Sequence, residues 1–154
     1  MGLVKEDRAD GLNVTALFDN EEVGSQTKQG ADSQILPGIL RRIYHAFGFT
    51  DDDFSADLGR AFMLSVDVAH AIHPNHPEYA DGREFPVLNG GVVVKYNAAQ
   101  RYTTDAVSDA VFRRVCREAG VPVQRYSNRA DLPGGSTLGN ISTAHLSVHS
   151  VDIG

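Results

Sequence analysis

The feature that most constrains the fold is one amphipathic helix placed between two strand-like runs. The segment Thr104–Ala119 repeats apolar residues at spacings of three and four, which is the period of a helix with one buried face. Thr104 can cap its start and Gly120 its end. The flanking run Gly91–Tyr96 contains three consecutive valines, which favour a strand, and Val121–Tyr126 follows the helix as another predicted strand. This order of strand, helix and strand predicts an α/β fold.

The rest of the chain continues the same alternation. Further elements are predicted as a buried strand at Asn13–Phe18, helices at Ile35–Phe47 and about Asp51–Arg60, a strand at Ala61–Val66, a half-exposed strand at Ala144–Val151, and polar loops at 19–33 and 70–89. Strands separated by helices favour a three-layer α/β sandwich with a mixed, mostly parallel sheet flanked by helices. Ligands are then expected in the loops that follow strands.

Composition and charge argue against several classes of protein. The formal net charge is −6 and the basic residues are scattered, whereas a nucleic-acid-binding protein normally carries a basic patch. No apolar run approaches the roughly 20 residues of a membrane-spanning helix, and the N-terminal residues do not resemble a signal peptide. The single cysteine, Cys116, falls on the apolar stripe of the helix, so an intramolecular disulfide is excluded. We therefore expect a cytoplasmic protein that binds neither nucleic acid nor membranes.

The first candidate for chemistry is the acidic run that follows the strand predicted at Asn13–Phe18. Glu21 and Glu22 are adjacent carboxylates in a loop, where they can converge on one centre. One carboxylate could then bind a metal while the other takes a proton from water. Acidic loop residues are also common on surfaces, and a solvated turn is the better interpretation of this run on its own.

The second candidate is the segment after the strand predicted at Ala61–Val66. Asp67 ends this strand and His70 follows it, and both residue types bind zinc. His73 and His76 continue at intervals of three, but Pro74 prevents a helix from carrying them on one face. For His73 and His76 we favour a simple polar loop.

Two further segments are weaker candidates. Lys95 ends a strand and could hold a carboxylate or phosphate, and Tyr102 could stabilise a developing oxyanion. Taken alone, a lysine that reaches solvent and a half-buried tyrosine are the better interpretation of these residues. The glycine-rich run Gly134–Gly139 could approach a ligand or could be a plain turn, and it lacks the phosphate-binding pattern with lysine. No Gly-x-Ser-x-Gly motif points to covalent catalysis.

Together, and in this order, these segments resemble the aspartyl aminopeptidases, a family of cocatalytic zinc exopeptidases. The matching blocks are LFDNEEVGS at Leu17–Ser25, KQGADS at 28–33, SVDVAHAIHPNH at Ser65–His76, NGGVVVKYNAAQRYTTDA at Asn89–Ala106 and GGSTLGNIS at Gly134–Ser142. They extend over nearly the whole chain beyond about Asn13, and several long blocks in one order make the resemblance specific.

The resemblance implies a role for each matching residue. Glu21 would be the general base that takes a proton from the attacking water. Glu22 and Asp67 would be zinc ligands. The residues implied to contact the substrate are His70, Lys95 and Tyr102. A complete site in this family holds two Zn²⁺ ions, with Co²⁺ or Mn²⁺ as candidate substitutes. The implied substrates are peptides that lose an N-terminal residue, with Asp and Glu as candidates, and the full-length family forms homo-oligomers.

The same resemblance implies that residues 1–154 form a partial catalytic domain. Family members are longer, and their metal sites also use a histidine and a bridging aspartate upstream and a histidine near the C-terminus. None of these three has a matching position here, and His145 and His149 stand in a different context. An alternative is therefore a non-catalytic fragment with an incomplete metal site. A sheet that lacks its neighbouring strands would also expose an edge and promote association.

Overall fold

The computed structural model describes residues 11–154, so the N-terminal residues 1–10, and with them most of the segment tested for a signal peptide, lie outside the described part. The regular elements, in chain order, are α1 (Ile35–Ala46), α2 (Asp51–Leu58), β1 (Phe62–Val66), β2 (Val92–Tyr96), α3 (Ala106–Ala119), β3 (Val123–Ser127), α4 (Leu138–Thr143) and β4 (His149–Ile153). Short 3₁₀ turns lie at Glu21–Val23 and Pro77–Tyr79. Within the described residues no helix is long and apolar enough to cross a membrane.

The four strands form one mixed sheet in the order β1-β4-β2-β3. β1 pairs with β4 in parallel, and β2 pairs with β3 in parallel, whereas β2 and β4 run antiparallel. Two of the three pairings are therefore parallel, which confirms the predicted mixed, mostly parallel sheet. The α3 helix supplies the crossover between β2 and β3, as a parallel pair requires.

Helices cover both faces of the sheet. Side chains alternate between the two faces along each strand. Val151 and Ile153 of β4 pack with Phe112 and Cys116 of α3 on one face. Asp152, which points the other way, lies under α4, because a Cβ built on Gly139 would meet its Oδ1 at 2.5 Å. The expected sandwich of helix, sheet and helix is therefore present.

Local sequence explains where α3 begins and ends. The side chain of Asp105 accepts a hydrogen bond from the backbone of Ser108, and the Ser108 side chain bonds back to the backbone of Asp105. Gly120 ends the helix at φ 68°, a left-handed conformation that costs glycine little. The prediction that Thr104 caps the helix is wrong by one residue. Thr104 is buried instead, and its hydroxyl accepts a hydrogen bond from the backbone of Asp152.

Two predicted strands differ from the structure. Residues 13–18 form no strand within the described part of the chain, and Leu17 is 94% exposed. An apolar run becomes a strand only where a neighbouring strand completes its hydrogen bonds. The strand predicted at Ala144–Val151 instead runs from His149 to Ile153 and is largely buried, because β4 lies in the middle of the sheet.

The contact between α4 and the sheet gives a test of packing. A Cβ on Gly139 would lie 2.5 Å from Asp152 Oδ1 and 2.7 Å from Ser65 Cβ, closer than real Cβ contacts allow. We expect Gly139→Ala to lower the free energy of unfolding by about 1–3 kcal/mol, as overpacking does. Urea denaturation followed by circular dichroism would measure it. Gly135→Ala is the matched control, since a Cβ there has no neighbour within 4 Å and should change stability little.

Candidate metal and substrate site

The loop that carries Glu21 and Glu22 is shaped by residues with positive φ. Asn20 at φ 61° and Gly24 at φ 97° flank the 3₁₀ turn that contains both glutamates. The Asn20 side-chain oxygen accepts hydrogen bonds from Thr27 Oγ1 at 3.0 Å and from Gln29 Nε2 at 2.6 Å. Asparagine tolerates the left-handed conformation and bonds locally, so this position holds the turn closed.

Asp67 directly follows β1 and is fixed through its backbone. Its N–H donates to the carbonyl of Ile153 at 3.1 Å, which extends the pairing of β1 with β4 by one residue. Its carboxylate accepts a hydrogen bond from the Val68 N–H at 2.7 Å. A half-buried carboxylate therefore stands directly after the carboxyl end of β1, a position at which α/β proteins commonly place ligand-binding residues.

Lys95 of β2 holds the same turn from the other side. Its side chain is buried, and the ammonium donates to the carbonyl oxygens of Asp67 at 3.2 Å and Val68 at 2.9 Å. Burial lowers the pKa of the Lys95 ammonium, and the charges of Asp67, Asp152 and Glu21 oppose this shift. The interpretation of Lys95 as a side chain that reaches solvent is therefore wrong. The ammonium instead points inward and braces the residue that ends β1.

Aromatic rings also line the site. Tyr102 is buried, and its ring lies 6.0 Å from the Lys95 ammonium and 6.2 Å from the ring of Tyr126. Burial has the largest effect on the pKa of the Tyr102 phenol, and the neighbouring Tyr126, Asp152 and Asp67 add to it. Together they raise this pKa to about 12. The phenol therefore stays protonated and can donate a hydrogen bond. His70 lies against Tyr126 with ring centroids 5.5 Å apart.

These residues border one pocket of about 740 Å³. It lies between the segment after β1, the long loop that precedes β2, and the loops that follow β2 and β3. Four of the six sequence-predicted site residues line it, namely Asp67, His70, Lys95 and Tyr102. His73 and His76, which we interpreted as loop residues, are exposed and lie on its rim. This size suits a small ligand or the end of a peptide.

Glu21 and Glu22 stand beside this pocket and do not line it. Partial burial raises the pKa of the Glu21 carboxyl most, the negative charges of Asp67 and Glu22 raise it further, and the Lys95 ammonium lowers it. Glu21 is therefore close enough to Asp67 to sense its charge. The loop that carries Glu21 and the end of β1, far apart in sequence, therefore lie near one another.

A buried carboxylate that the sequence did not single out supports this arrangement. Asp152 is 1% exposed, and its Oδ2 accepts from the Thr103 N–H at 2.6 Å and from Thr103 Oγ1 at 3.1 Å. Its Oδ1 accepts from Thr137 Oγ1 at 2.7 Å. Thr103 follows Tyr102, and Thr137 lines the pocket. Asp152 therefore ties two walls of the pocket to the centre of the sheet.

Sequence reasoning also missed Tyr126 and Asn128, which line the pocket at the end of β3. The signal that could have found them is their position, since polar residues after a parallel strand commonly face the ligand. Asp152 carried a weaker signal, because a charged residue inside an otherwise apolar strand needs partners when buried.

The chemistry of the side chains fits a metal only in part. Glu22 and Asp67 offer carboxylate oxygens, which zinc accepts as ligands. Zinc sites in proteins use about three or four protein ligands for each ion. Within residues 11–154 no group of three or more His, Cys, Asp or Glu side chains is placed to hold a metal ion. The described residues can therefore supply part of a metal site but not a complete one.

Asp67 after a strand of a mixed α/β sheet, with Glu21 nearby and a pocket that could admit the end of a peptide, is an arrangement that a metal-dependent hydrolase could use. Comparison with known proteins makes this class specific. Residues 2–154 match the family model described as aminopeptidase I zinc metalloprotease, M18. The chain therefore belongs to the M18 family of zinc metallopeptidases.

Individual relatives agree with this assignment. The chain is 51% identical over 152 residues to the probable M18 family aminopeptidase 2 of Clostridium acetobutylicum, covering 99% of this chain and 35% of the relative. Its fold matches a chain in the cryo-EM structure of the Ape4 and Nbr1 complex with a TM-score of 0.85 and 40% identity, over 89% of this chain and 26% of that one. It also matches the mApe1 dodecamer of S. cerevisiae with a TM-score of 0.74 and 29% identity, over 89% and 30% of the two chains. The chain thus spans about a third of its curated relative.

Proposed function

We propose that residues 1–154 are the part of a zinc aminopeptidase catalytic domain that supplies the general base, two metal ligands and the substrate pocket. The observation that carries this proposal is one pocket lined by Asp67, His70, Lys95 and Tyr102, with Glu21 close enough to be affected by the charges of Asp67 and Lys95. The relatives' names and the family model support the same reaction, the release of an N-terminal residue from a peptide.

Glu21 is the proposed general base. A glutamate beside an activated water can take its proton and pass it to the leaving amine. Burial raises the pKa of the Glu21 carboxyl, which favours this role, and the side chain is only half-buried, so water can reach it. Glu22 differs because it is exposed and free to turn toward a ligand.

Glu22 and Asp67 are the proposed zinc ligands. When bound, zinc lowers the pKa of a coordinated water and polarises the peptide carbonyl. Lys95 keeps the Asp67 backbone in place, so that the Asp67 carboxylate needs little rearrangement. The proposal also includes further metal ligands besides Glu22 and Asp67, a second Zn²⁺ in the complete site, and exchange of zinc with Co²⁺ or Mn²⁺.

His70, Lys95 and Tyr102 are the proposed substrate contacts. Two N–H groups of the Lys95 ammonium bond to backbone carbonyls, which leaves the third N–H for a ligand in the pocket. That positive charge favours an acidic N-terminal residue, Asp or Glu. The protonated Tyr102 phenol can donate to a carbonyl or oxyanion, and His70 shapes the wall with Tyr126.

Assembly and location complete the proposal. A dodecamer is reported for the S. cerevisiae relative, and a homo-oligomer built from full-length subunits is proposed for the enzyme to which this chain corresponds. A cytoplasmic setting agrees with its single, buried cysteine. The alternative is a non-catalytic fragment, which agrees with the partial metal site, and a measurement of turnover and bound metal separates the two.

The test uses a chimera in which residues 2–154 replace the matching region of the Clostridium acetobutylicum relative. Purified with zinc, the chimera should hydrolyse aspartyl or glutamyl amides. We expect Glu21→Gln to reduce kcat by a factor on the order of 10² to 10⁴, the usual contribution of general acid–base catalysis, while zinc content stays unchanged. Glu22→Gln should instead reduce bound zinc, measured by atomic absorption.

The matched control is Glu118→Gln, which neutralises an exposed glutamate on α3 that pairs with Arg114. It should leave kcat, KM and zinc content unchanged. Full activity of the Glu21→Gln chimera, or a folded chimera that binds zinc without turnover, would contradict the assignment. The 154-residue chain is assayed in parallel with Zn²⁺, Co²⁺ and Mn²⁺. Absence of both turnover and bound metal in the folded chain would establish the non-catalytic alternative for the chain alone.

A further inference from the structure

The loop of residues 19–33, which we call the glutamate loop because it carries Glu21, is closed by hydrogen bonds of its own. The Ser25 N–H donates to the carbonyl of Asn20 at 2.9 Å, and the Asp32 N–H donates to the carbonyl of Ser25 at 3.3 Å. Ser25 is fully buried. Asp32, near the end of the loop, is therefore linked through Ser25 to Asn20, the residue that precedes Glu21.

The polar attachment of this loop to the rest of the protein is concentrated at one residue. The helices that follow the loop pack on each other, with the ring of Tyr44 in α1 lying 5.2 Å from the ring of Phe54 in α2. Among the described residues, the part of the chain before β1 makes hydrogen bonds with the part from β1 onward only through His145. His145 is therefore the polar bridge between the glutamate loop and the sheet.

Both ring nitrogens of His145 take part in this bridge. Nε2 lies 2.9 Å from Asp32 Oδ1, and Nδ1 lies 3.0 Å from the side-chain nitrogen of Gln34. Because an ionised carboxylate only accepts hydrogen bonds, Nε2 carries a proton and donates it to Asp32, and Nδ1 of the neutral ring accepts from the Gln34 amide. The side chain of His145 is 20% exposed, which limits competition from water. Two bonds to one ring fix both its position and its rotation.

His145 is itself held firmly at the end of α4. Its N–H donates to the carbonyl of Ser142, a buried residue of α4, at 3.0 Å. The next residue, Leu146, is buried, and its N–H donates to the same carbonyl at 2.9 Å. The α4 helix packs closely on β1 and β4 at Gly139. His145 therefore joins the glutamate loop to the helix that lies on β1, the strand that Asp67 follows.

We propose that His145 is a positioning residue that docks the glutamate loop and thereby holds Glu21 near Asp67. Glu21 is close enough to be affected by the charges of Asp67 and Lys95. A general base must lie within hydrogen-bond reach of the water that it deprotonates, and a displacement of about 1 Å can cost roughly 10²-fold in rate. The docking of the loop is a property of this fold, and only its effect on Glu21 rests on the proposed function.

A local role for this contact differs measurably from a contribution to overall stability. An ion pair or hydrogen bond near the surface typically contributes about 0–1 kcal/mol to the free energy of unfolding, so the loss of His145 should not unfold the domain. The contact joins a loop with its own internal bonds to the rest of the protein. Its loss should therefore release the loop while leaving the packing of α3 on the sheet unchanged.

Hydrogen–deuterium exchange of the 154-residue chain, followed by mass spectrometry, tests the docking. In His145→Leu, exchange in peptides from residues 19–33 should accelerate about tenfold or more, whereas exchange in α3 should not change. His145→Gln should retain most of the protection, because its side-chain amide can still donate to Asp32. His149→Leu is the matched control, since it makes the same substitution at an exposed histidine of β4 and should leave the loop unchanged.

Kinetics of the chimera with the Clostridium relative test the effect on Glu21. We expect His145→Leu to lower kcat by a factor of roughly 10 to 10², because the general base is displaced, and to leave KM for an aspartyl amide nearly unchanged. His145→Gln should recover most of kcat. Asp32→Ala removes the other partner of the same contact, so it should act like His145→Leu, and the double variant should lose no more than either single variant. Asp32→Ala also carries the test if His145→Leu does not fold.

Several results would overturn the proposal. Unchanged exchange of the glutamate loop in both His145→Leu and Asp32→Ala would show that the contact does not dock it. Equal acceleration in the loop and in α3 would show a general loss of stability instead. A released loop with unchanged kcat in the active chimera would remove the positioning role. Full activity of Glu21→Gln counts against the proposed function alone, because the exchange experiment still decides whether His145 docks the loop.

Discussion

Asp152→Ala is expected to be the most destabilising single substitution in the polar core, lowering the free energy of unfolding by about 3–5 kcal/mol. The carboxylate accepts hydrogen bonds from the Thr103 N–H, the Thr103 hydroxyl and the Thr137 hydroxyl. Each buried donor left without a partner costs about 1–3 kcal/mol. A domain of this size is stabilised by only about 5–15 kcal/mol, so Asp152→Ala would remove a large fraction of its free energy of unfolding.

Chemical denaturation followed by far-ultraviolet circular dichroism measures this effect. Asp152→Asn keeps the shape and one acceptor oxygen, and the Thr137 hydroxyl can turn to accept from the new amide, so the loss should be smaller. The control is Asp131→Ala, which removes an exposed carboxylate paired with Arg129 and should change stability little. Equal stability of Asp152→Ala and Asp131→Ala would show that the buried network does not support the fold.

Lys95→Met is expected to loosen the turn that presents Asp67. The substitution removes the ammonium that bonds to the carbonyl oxygens of Asp67 and Val68. Amide hydrogen exchange at Asp67 and Val68 should accelerate about tenfold or more, which corresponds to roughly 1.4 kcal/mol of lost local stability. Two-dimensional NMR resolves these amides individually. Lys28→Met removes an exposed lysine and should leave their exchange unchanged.

Lys95→Met should also change how the free energy of unfolding depends on pH. Burial lowers the pKa of Lys95 in the folded protein below its ordinary value of 10.5. Between the lowered pKa and 10.5 the unfolded chain binds more protons at this position than the folded chain. The stability of the native protein should therefore rise with pH across this window relative to Lys95→Met. If the difference in the free energy of unfolding between the native protein and Lys95→Met stays constant across this pH window, burial does not lower the pKa of Lys95.

How far the sequence predicts this structure depends on how local each signal is. The α3 helix was predicted almost to the residue, because its apolar spacing and Gly120 act within a few turns. The strand at residues 13–18 was wrong, since a strand depends on neighbours that an apolar run does not specify. The α4 helix was missed, because a short helix that begins after a glycine-rich run and packs on the sheet through Gly139 shows no apolar period.

The candidate site divides in the same way. Glu21, Glu22, Asp67, His70, Lys95 and Tyr102 were all singled out from the sequence. The inward orientation of Lys95 was not, because carbonyl oxygens of Asp67 and Val68 become partners only when β1 and β4 bring them beside β2. The role of Asp152 could not be predicted from the sequence for a similar reason. Its three donors come from segments 15 and 49 residues away along the chain.

By itself the sequence determined the α/β class, the main helices and the membership in an M18-like group, since period, caps and ordered motif blocks are properties of neighbouring residues. Only the tertiary structure decided which groups face one another. The sheet order β1-β4-β2-β3 buries Asp152 in the middle of the sheet and brings the buried Lys95 beside the carbonyl oxygens of Asp67 and Val68. Burial and proximity set the pKa of each group and the cost of each missing partner, and both arise from contacts between distant segments.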